Sequence, residues 1–378
     1  MNRTETSYTF RSVFFTDKPI VILIATWVGV QYYVLQHYGV VSAPDSPMYI
    51  EDAYHILQGH LPEGRGIWYI GYSSFLSGVF LLKGNLSTIV FLQMLLSGLA
   101  ALALFHLVSH LSDKRSAIIA VFLYLTWIKI HQWNVYIYTE SLFTSCCIFS
   151  FASLTLSRKG WHYFLTSILI TFTFFIRPTG IGLMVAVFGY LVTWIAQKNK
   201  IPVSVWIILS GILITASLMM INYILKDYIY YFIDSYSKAE IIYPSIPLFL
   251  QKPEQLTIAS SAYTPVVQLV LFFLYNPVYF IKLCLLKLFL FFGNIKPYFS
   301  WYHNALIIAV LYPCYIFAAY GYKNMTAAKE KIFIGCFIIS QALIVSLTSE
   351  NWDGRFLIPV LPFVFIYSAI GVNHVLKK

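Results

Sequence analysis

The chain has 378 residues, of which 59% are hydrophobic and only 11% are charged, and its mean hydropathy is +0.73. A soluble protein carries roughly 25% charged residues, so this composition excludes a soluble globular fold and indicates an all-α polytopic membrane protein. The net charge of +10 fits cytoplasmic loops facing anionic lipid better than nucleic-acid binding. Membrane lipids are therefore expected partners and nucleic acid is not. The five cysteines lie in apolar surroundings without metal-ligand spacing and are interpreted as small hydrophobic residues.

About ten apolar segments are candidates for membrane helices, which need roughly 20 apolar residues each. Five Lys- or Arg-bearing breaks, at 113–115, 158–159, 198–200, 323–331 and 377–378, all fall on the cytoplasmic side if the N-terminus is cytoplasmic, as the positive-inside rule requires. No small-residue cleavage site follows the first segment, so it is expected to be retained as a helix. The segments are 19–39, 86–110, 116–133, 139–157, 161–176, 179–196, 202–224, 303–321, 331–348 and 356–375.

Two long polar and aromatic stretches, 40–85 and 225–302, fall on the opposite, outer side together with 11 of the 15 acidic residues. Within the first stretch, 66–83 is expected to be a helix lying on the outer surface. Within the second, 265–293 is expected to be an interfacial helix or a re-entrant pair, because a single crossing would place later Lys-rich loops outside. The whole chain, 1–378, is interpreted as a single transmembrane domain with its active face outside.

Acidic residues at three places on the outer side are candidates for chemistry, since a carboxylate at a membrane edge is costly unless it faces a cavity or a partner. Asp45 follows the first apolar segment, Glu140 begins a later one, and Glu350 and Asp353 precede the last. Each has a structural alternative. Asp45 fits a turn before a proline, Glu140 fits a helix-capping carboxylate, and Asp353 fits a loop ion pair with Arg355.

Two arginines, Arg177 and Arg355, stand at predicted membrane edges. The planar guanidinium fork suits phosphate, and the alternative for each arginine is snorkelling towards the lipid headgroups. His106 and His110 have the i, i+4 spacing of a metal-ligand pair. They lie near the cytoplasmic end without an acidic neighbour, so the pair is interpreted as structural.

Five short motifs follow one another along the chain on the predicted outer face: Pro44-Asp45-Ser46-Pro47-Met48-Tyr49, Ala53-Tyr54-His55-Ile56-Leu57-Gln58-Gly59, Tyr138-Thr139-Glu140-Ser141-Leu142-Phe143, Arg177-Pro178-Thr179-Gly180 and Arg355-Phe356-Leu357-Ile358-Pro359-Val360-Leu361-Pro362. Their order and spacing resemble the GT-C superfamily of polytopic glycosyltransferases, which includes the protein O-mannosyltransferase-like and aminoarabinose-transferase-like families. The chain departs from the family pattern in two places. Its first outer loop has one Asp rather than an adjacent acidic pair, and Phe356 stands where the family often has Tyr.

The resemblance implies a GT-C-like fold and transfer of a sugar from a polyprenyl-phosphate-linked donor to a hydroxyl of a lipid or glycan acceptor. The expected location is the outer, periplasmic face of the plasma (inner) membrane. Asp45 would be the general base, and Glu140 would help position the acceptor or a divalent metal ion, Mg or Mn, held by these two carboxylates. The other implied contacts are Arg355 and Arg177 with the donor phosphate, Lys282 and Lys287 as weaker phosphate candidates, and Tyr49, Asp353 and Glu350 with substrate.

Two other classes of membrane protein stay open at this point. A polar-lipid transporter or flippase also needs charges within the membrane, but it should show inverted repeats with broken helices at matching positions, and the sequence has none that we detect. A glycan polymerase or ligase of the O-antigen type carries a large outer loop, for which the stretch 225–302 leaves room.

Overall fold

The computed structural model describes residues 18–157, 159–198, 211, 215, 218–219, 222–223, 225–226, 229–243, 250–348, 350–351 and 353–377, and structural statements below refer to these. Fifteen α-helices are assigned within them. They are α1 Lys18–Tyr38, α2 Ser46–Leu57, α3 Ile70–Leu81, α4 Leu86–Leu111, α5 Lys114–Thr126, α6 Ile128–Gln132, α7 Thr139–Leu156, α8 Gly160–Phe174, α9 Ile181–Lys198, α10 Ile229–Ser237, α11 Pro265–Tyr275, α12 Pro277–Gly293, α13 Trp301–Asn324, α14 Ala328–Leu347 and α15 Leu361–Leu376.

Short elements complete the description. Four 3₁₀ turns occupy Gly64–Tyr69, Trp133–Val135, Pro178–Gly180 and Arg355–Leu357. Two strands of two residues each, β1 Ile242–Tyr243 and β2 Glu350–Asn351, pair in parallel. The described chain is therefore almost entirely helical, as its composition predicts.

Six helical segments in the described ranges are long and apolar enough to cross a membrane, and the bent pair α11–α12 makes a seventh if it forms one span. The protein is thus an all-α, multi-pass membrane protein. The six are α1, α4, α7, α13, α14 and the segment Pro178–Lys198. The predicted segment 202–224 lies largely outside the described residues, so a total of about ten spans stays a prediction.

Two predicted segments contain breaks. The predicted helix 116–133 is interrupted at Trp127, whose ψ of 85° is not helical. The carbonyl of Tyr124, in the last turn before this break, is paired with Nε2 of His131 at 3.0 Å. In the predicted segment 356–375, a 3₁₀ turn comes first and α15 begins at Leu361, with a proline in its first turn. Proline is tolerated there because the first-turn N–H groups have no partner within the helix.

The chain folds into two compact units, which are described separately. The first unit comprises the described residues up to Met184, with Pro313–Lys331 and Ile358–Lys378. The second comprises the described residues of Val185–Tyr312 and Ile332–Leu357. A single transmembrane domain over 1–378 stays a prediction.

The first unit packs α4 against α5 and α7, α5 against α15, and α7 against α8. Asp113 fixes one end of this bundle. Its carboxylate accepts hydrogen bonds from the backbone N–H of Ser116 at 2.8 Å, from Asn373 at 2.7 Å and from Lys377 at 2.6 Å. The N-cap of α5 is thereby tied to the C-terminal turn of α15, two elements that are far apart in sequence.

The second unit has its own apolar core, formed by α10, α11, α12 and the residues around β1. Its buried members are Tyr236, Ala239, Ile241, Ile242, Phe272, Tyr279, Leu283 and Leu290. The helices α11 and α12 are bent by 106° at the break between Tyr275 and Pro277. This bend is compatible with the predicted re-entrant pair, although a broken span has the same geometry, so the prediction for 265–293 stays open.

Candidate functional site

The loop that carries Asp45 is held in place by the segment that precedes Glu140. The backbone N–H of Val41 donates to the carbonyl of Val135 at 2.9 Å, and the N–H of Ile137 donates back to Val41 at 3.0 Å. Ser46 adds a side-chain contact, because its hydroxyl donates to the carbonyl of Ile137 at 2.9 Å. The two predicted acidic motifs of the first unit are therefore neighbours, joined by backbone pairing over about 90 residues of sequence.

Asp45 stands at the start of α2, where it occupies the N-cap position without making a side-chain capping bond. Its backbone N–H donates to the hydroxyl of Tyr138 at 3.0 Å. Its carboxylate is 28% exposed and lies 3.9 Å from the guanidinium of Arg65, which is 58% exposed. Such an exposed ion pair is weak. The backbone is thus fixed while the carboxylate remains open to solvent.

Tyr49 lies one turn after Asp45 and packs within a group of four tyrosines. Its ring centroid is 5.2 Å from that of Tyr69, 5.2 Å from that of Tyr72 and 6.0 Å from that of Tyr138. Since Tyr49 is only 2% exposed, its ring orients α2 beneath Asp45. A direct substrate contact by Tyr49 stays a prediction.

Tyr72 connects this aromatic group to the polar interior. Its hydroxyl donates to Oε1 of Gln93 at 2.9 Å, and the amide of Gln93 donates to the carbonyls of Asn134 and Tyr136. Burial raises the pKa of Tyr72 well above its ordinary value, and the negative charge of Glu140 adds to this shift. Tyr72 therefore remains a neutral donor.

A buried hydrogen-bond network fixes the turn that leads into α7. The ring of His131 is paired through Nδ1 with Gln31 at 3.0 Å and with Ser97 at 3.2 Å. Asn134 donates to Gln31 at 2.9 Å and accepts from Ser141 at 2.6 Å. Because buried polar groups are costly unless paired, this network determines the path of the chain just before Glu140.

Glu140 and Arg177 form a buried ion pair. Nη1 of Arg177 donates to Oε1 of Glu140 at 3.1 Å, and the two side chains are 5% and 1% exposed for Arg177 and Glu140 respectively. The guanidinium also lies 5.6 Å from the centre of the Phe143 ring. The structure thus brings together a residue predicted to act on the acceptor and one predicted to bind phosphate. In this arrangement the charges of Glu140 and Arg177 neutralise each other.

The segment that carries Arg177 is positioned by a close backbone contact with α3. The N–H of Gly71 donates to the carbonyl of Phe175 at 2.8 Å. A Cβ at Gly71 would lie 2.8 Å from the carbonyl carbon of Phe175. Only glycine fits this approach without a shift of the backbone. The start of α3 and the turn before Arg177 are therefore locked together.

Sequence analysis did not assign roles to Arg65 or Asp52. Asp52 lies two turns after Asp45 in α2 and is 7% exposed, and Oδ2 of its carboxylate has no hydrogen-bond partner among the described residues. The backbone of Gly66 covers it, since a Cβ there would lie 2.3 Å from Oδ2. Burial raises the pKa of Asp52, while His55 lowers it and Glu51 raises it to smaller extents. No sequence pattern distinguishes Asp52 from the exposed Glu51 beside it.

The remaining predicted residues belong to the second unit. Lys287 is fully buried, donates from Nζ to the carbonyl of Thr348 and lies 4.9 Å from the centre of the Tyr236 ring, whereas Lys282 is exposed. In this geometry Lys287 supports the core, and its role in binding phosphate stays a prediction.

The carboxylate of Asp353 binds the backbone of Arg355. The N–H of Arg355 donates to Oδ1 of Asp353 at 3.1 Å, and the guanidinium lies 5.5 Å from the centre of the Phe356 ring. Both side chains are partly exposed. Glu350 pairs with Ile242 through the strand contact, and its side chain lies outside the described residues. The roles of these three residues remain predictions.

The donor set does not fit a resident metal ion. Within the part of the chain that the structure describes, no group of three or more His, Cys, Asp or Glu side chains is close enough to hold one. Of the two carboxylates predicted as ligands, Glu140 is committed to Arg177. His106 and His110 are both exposed and belong to no such group. We derive no chemical step through a metal.

Comparison with known proteins adds no further constraint. No protein-family model matches the chain, and no curated protein matches it. The assignment of function therefore depends on the residues and on the geometry described above.

Proposed function

We propose that the protein is a membrane glycosyltransferase that moves a sugar from a polyprenyl-phosphate-linked donor to an acceptor hydroxyl. The observation that carries the proposal is the carboxylate of Asp45, which is 28% exposed and lies 3.9 Å from the guanidinium of Arg65, while its backbone N–H is bonded to the hydroxyl of Tyr138. A general base needs this combination of a fixed position and access to the proton it removes.

In the proposed reaction, Asp45 accepts the proton of the acceptor hydroxyl as the oxygen attacks the anomeric carbon of the donor. The bond between that carbon and the phosphate oxygen breaks, and polyprenyl phosphate leaves with the electron pair. The proton passes from Asp45 to solvent. A cation beside the leaving phosphate stabilises the charge that develops there. Arg65, which is 58% exposed and 3.9 Å from Asp45, is a candidate for this role.

Glu140 and Arg177 act in this proposal as positioning residues, because their buried pair supports the segment to which the Asp45 loop is attached. The finer features belong to the same proposal. They are about ten spans, a GT-C-like arrangement, a plasma (inner) membrane location and an active face on the outer, periplasmic side. The Lys- and Arg-bearing breaks that fall on the predicted cytoplasmic side support that orientation.

Reconstituted protein tests the proposal directly. Proteoliposomes would receive polyprenyl-phosphate hexoses labelled in the sugar and a membrane extract as acceptor. The expected result is label in a product other than the donor lipid, with release of stoichiometric polyprenyl phosphate. Movement of intact donor between leaflets without release would favour the flippase alternative. Joining of lipid-linked oligosaccharides without use of monosaccharide donors would favour the polymerase or ligase.

A further inference from the structure

A cavity of about 860 Å³ lies within the second unit, apart from the Asp45 site in the sequence and unused by the reaction above. One wall is formed by α10, and the other by residues 258–264 with the start of α11. Its volume is in the range of small-molecule and cofactor sites.

Internal hydrogen bonds hold both walls of the cavity in place. The hydroxyl of Tyr279 donates to the carbonyl of Tyr236 at 2.5 Å, which attaches α10 to the apolar core. Gln268 is 8% exposed and donates to the carbonyl of Tyr263 at 2.7 Å, which ties the second wall to α11. Asn222 accepts from the N–H of Val266 at 2.9 Å. The cavity is therefore preformed by internal bonds.

The lining combines aromatic rings with uncharged polar groups. Three tyrosines present exposed rings, with Tyr223 at 77%, Tyr230 at 73% and Tyr263 at 52% exposure. Asn, Gln, Ser and Thr side chains supply hydrogen-bonding groups between them. Among the described lining residues only Lys226 and Asp234 carry charge, and the carboxylate of Asp234 is paired with Lys238. The cavity therefore presents ring faces together with uncharged hydrogen-bonding groups.

We propose that this cavity binds a neutral carbohydrate. The apolar faces of sugar rings pack on aromatic rings, while amide, hydroxyl and carboxylate groups at the edges bind their hydroxyls. Asp234 suits the second role, since its pairing with Lys238 at 2.5 Å holds the carboxylate in place. Identification of this carbohydrate as the sugar acceptor rests on the proposed transferase function, whereas binding itself does not.

Direct binding measurements test the inference. Protein in nanodiscs would be examined by saturation-transfer NMR with three neutral probes, mannotriose, maltotriose and chitotriose, and with glucose 1-phosphate as the anionic probe. We expect at least one neutral trisaccharide to bind. Replacement Tyr263→Ala should weaken it about 5- to 10-fold, the loss expected for one stacking ring. Tyr275→Ala is the matched control, since Tyr275 is 50% exposed in α11 but does not line the cavity.

Several outcomes would overturn the inference. These are no binding of any neutral probe, preference for the phosphorylated probe, or equal losses in Tyr263→Ala and Tyr275→Ala. Weaker membrane association of Tyr230→Ala without a change in sugar binding would instead assign the tyrosines to the lipid interface. The variant Asp45→Asn should bind the neutral probe as tightly as wild type does. The binding result therefore holds even if the protein proves not to transfer sugar.

Discussion

The buried pair between Glu140 and Arg177 yields the sharpest prediction on stability. Replacement Glu140→Gln keeps the volume of the side chain but removes its charge, which leaves the guanidinium of Arg177, 5% exposed, without its counter-ion. Removal of one partner from a buried pair typically costs about 3–5 kcal/mol, because the remaining charge stays desolvated. We expect a loss of this size in the free energy of unfolding.

Unfolding of the protein in mixed micelles by SDS titration would measure this loss. Asp234→Asn is the control, since the Asp234–Lys238 pair is exposed and such pairs contribute little to stability. The double variant Glu140→Gln/Arg177→Met should recover part of the loss, because both buried charges are then gone. Two results would refute the view that the pair supports this part of the first unit. One is a loss of unfolding free energy in Glu140→Gln no larger than that in Asp234→Asn. The other is additive losses in the double variant.

Two further predictions concern the stretch 40–85. Because burial raises the pKa of Asp52, its protonated form stabilises the fold, and that contribution is lost as pH rises from about 3.9, the ordinary pKa of Asp, through the raised value. The free energy of unfolding of Asp52→Asn should therefore exceed that of wild type at pH 7 but not at pH 4. The same dependence of this free energy on pH in both proteins would contradict the prediction. Gly71→Ala should lower the free energy of unfolding by about 1–3 kcal/mol, because the added Cβ overpacks against Phe175. Gly78→Ala is the control and should lose no stability, since there is open space at its Cβ. Equal melting temperatures of the two variants would count against the close contact at Gly71.

Much of the helical framework could be predicted from the sequence. The first apolar run was expected at 19–39 and forms Lys18–Tyr38, and the run expected at 86–110 forms Leu86–Leu111. Lipid-facing helices need long apolar runs, so composition alone locates them. The break at Trp127 was missed, because the apolar run continues through it. The hydrogen bonds of His131 accompany this break, and their partners lie up to 100 residues away in sequence.

The placement of Asp45 and Glu140 on one face of the membrane stays a prediction. The backbone pairing of Val41 with the segment before Glu140 shows that the two motifs are neighbours. Sequence analysis gave no indication that Arg177 would neutralise Glu140, since an ion pair across 37 residues follows from helix packing and leaves no local pattern. Arg65 was missed for the same reason.

The most direct test of the proposed function compares Asp45→Asn with Glu51→Gln in the labelled-donor transfer assay. Glu51 is an exposed carboxylate of the same helix, so its loss matches the change in charge without touching the proposed base. Loss of a general base should lower the rate of sugar transfer by about 10²- to 10⁴-fold, and we expect this in Asp45→Asn alone, with unfolding unchanged. Equal rates in wild type and a well-folded Asp45→Asn would contradict the account.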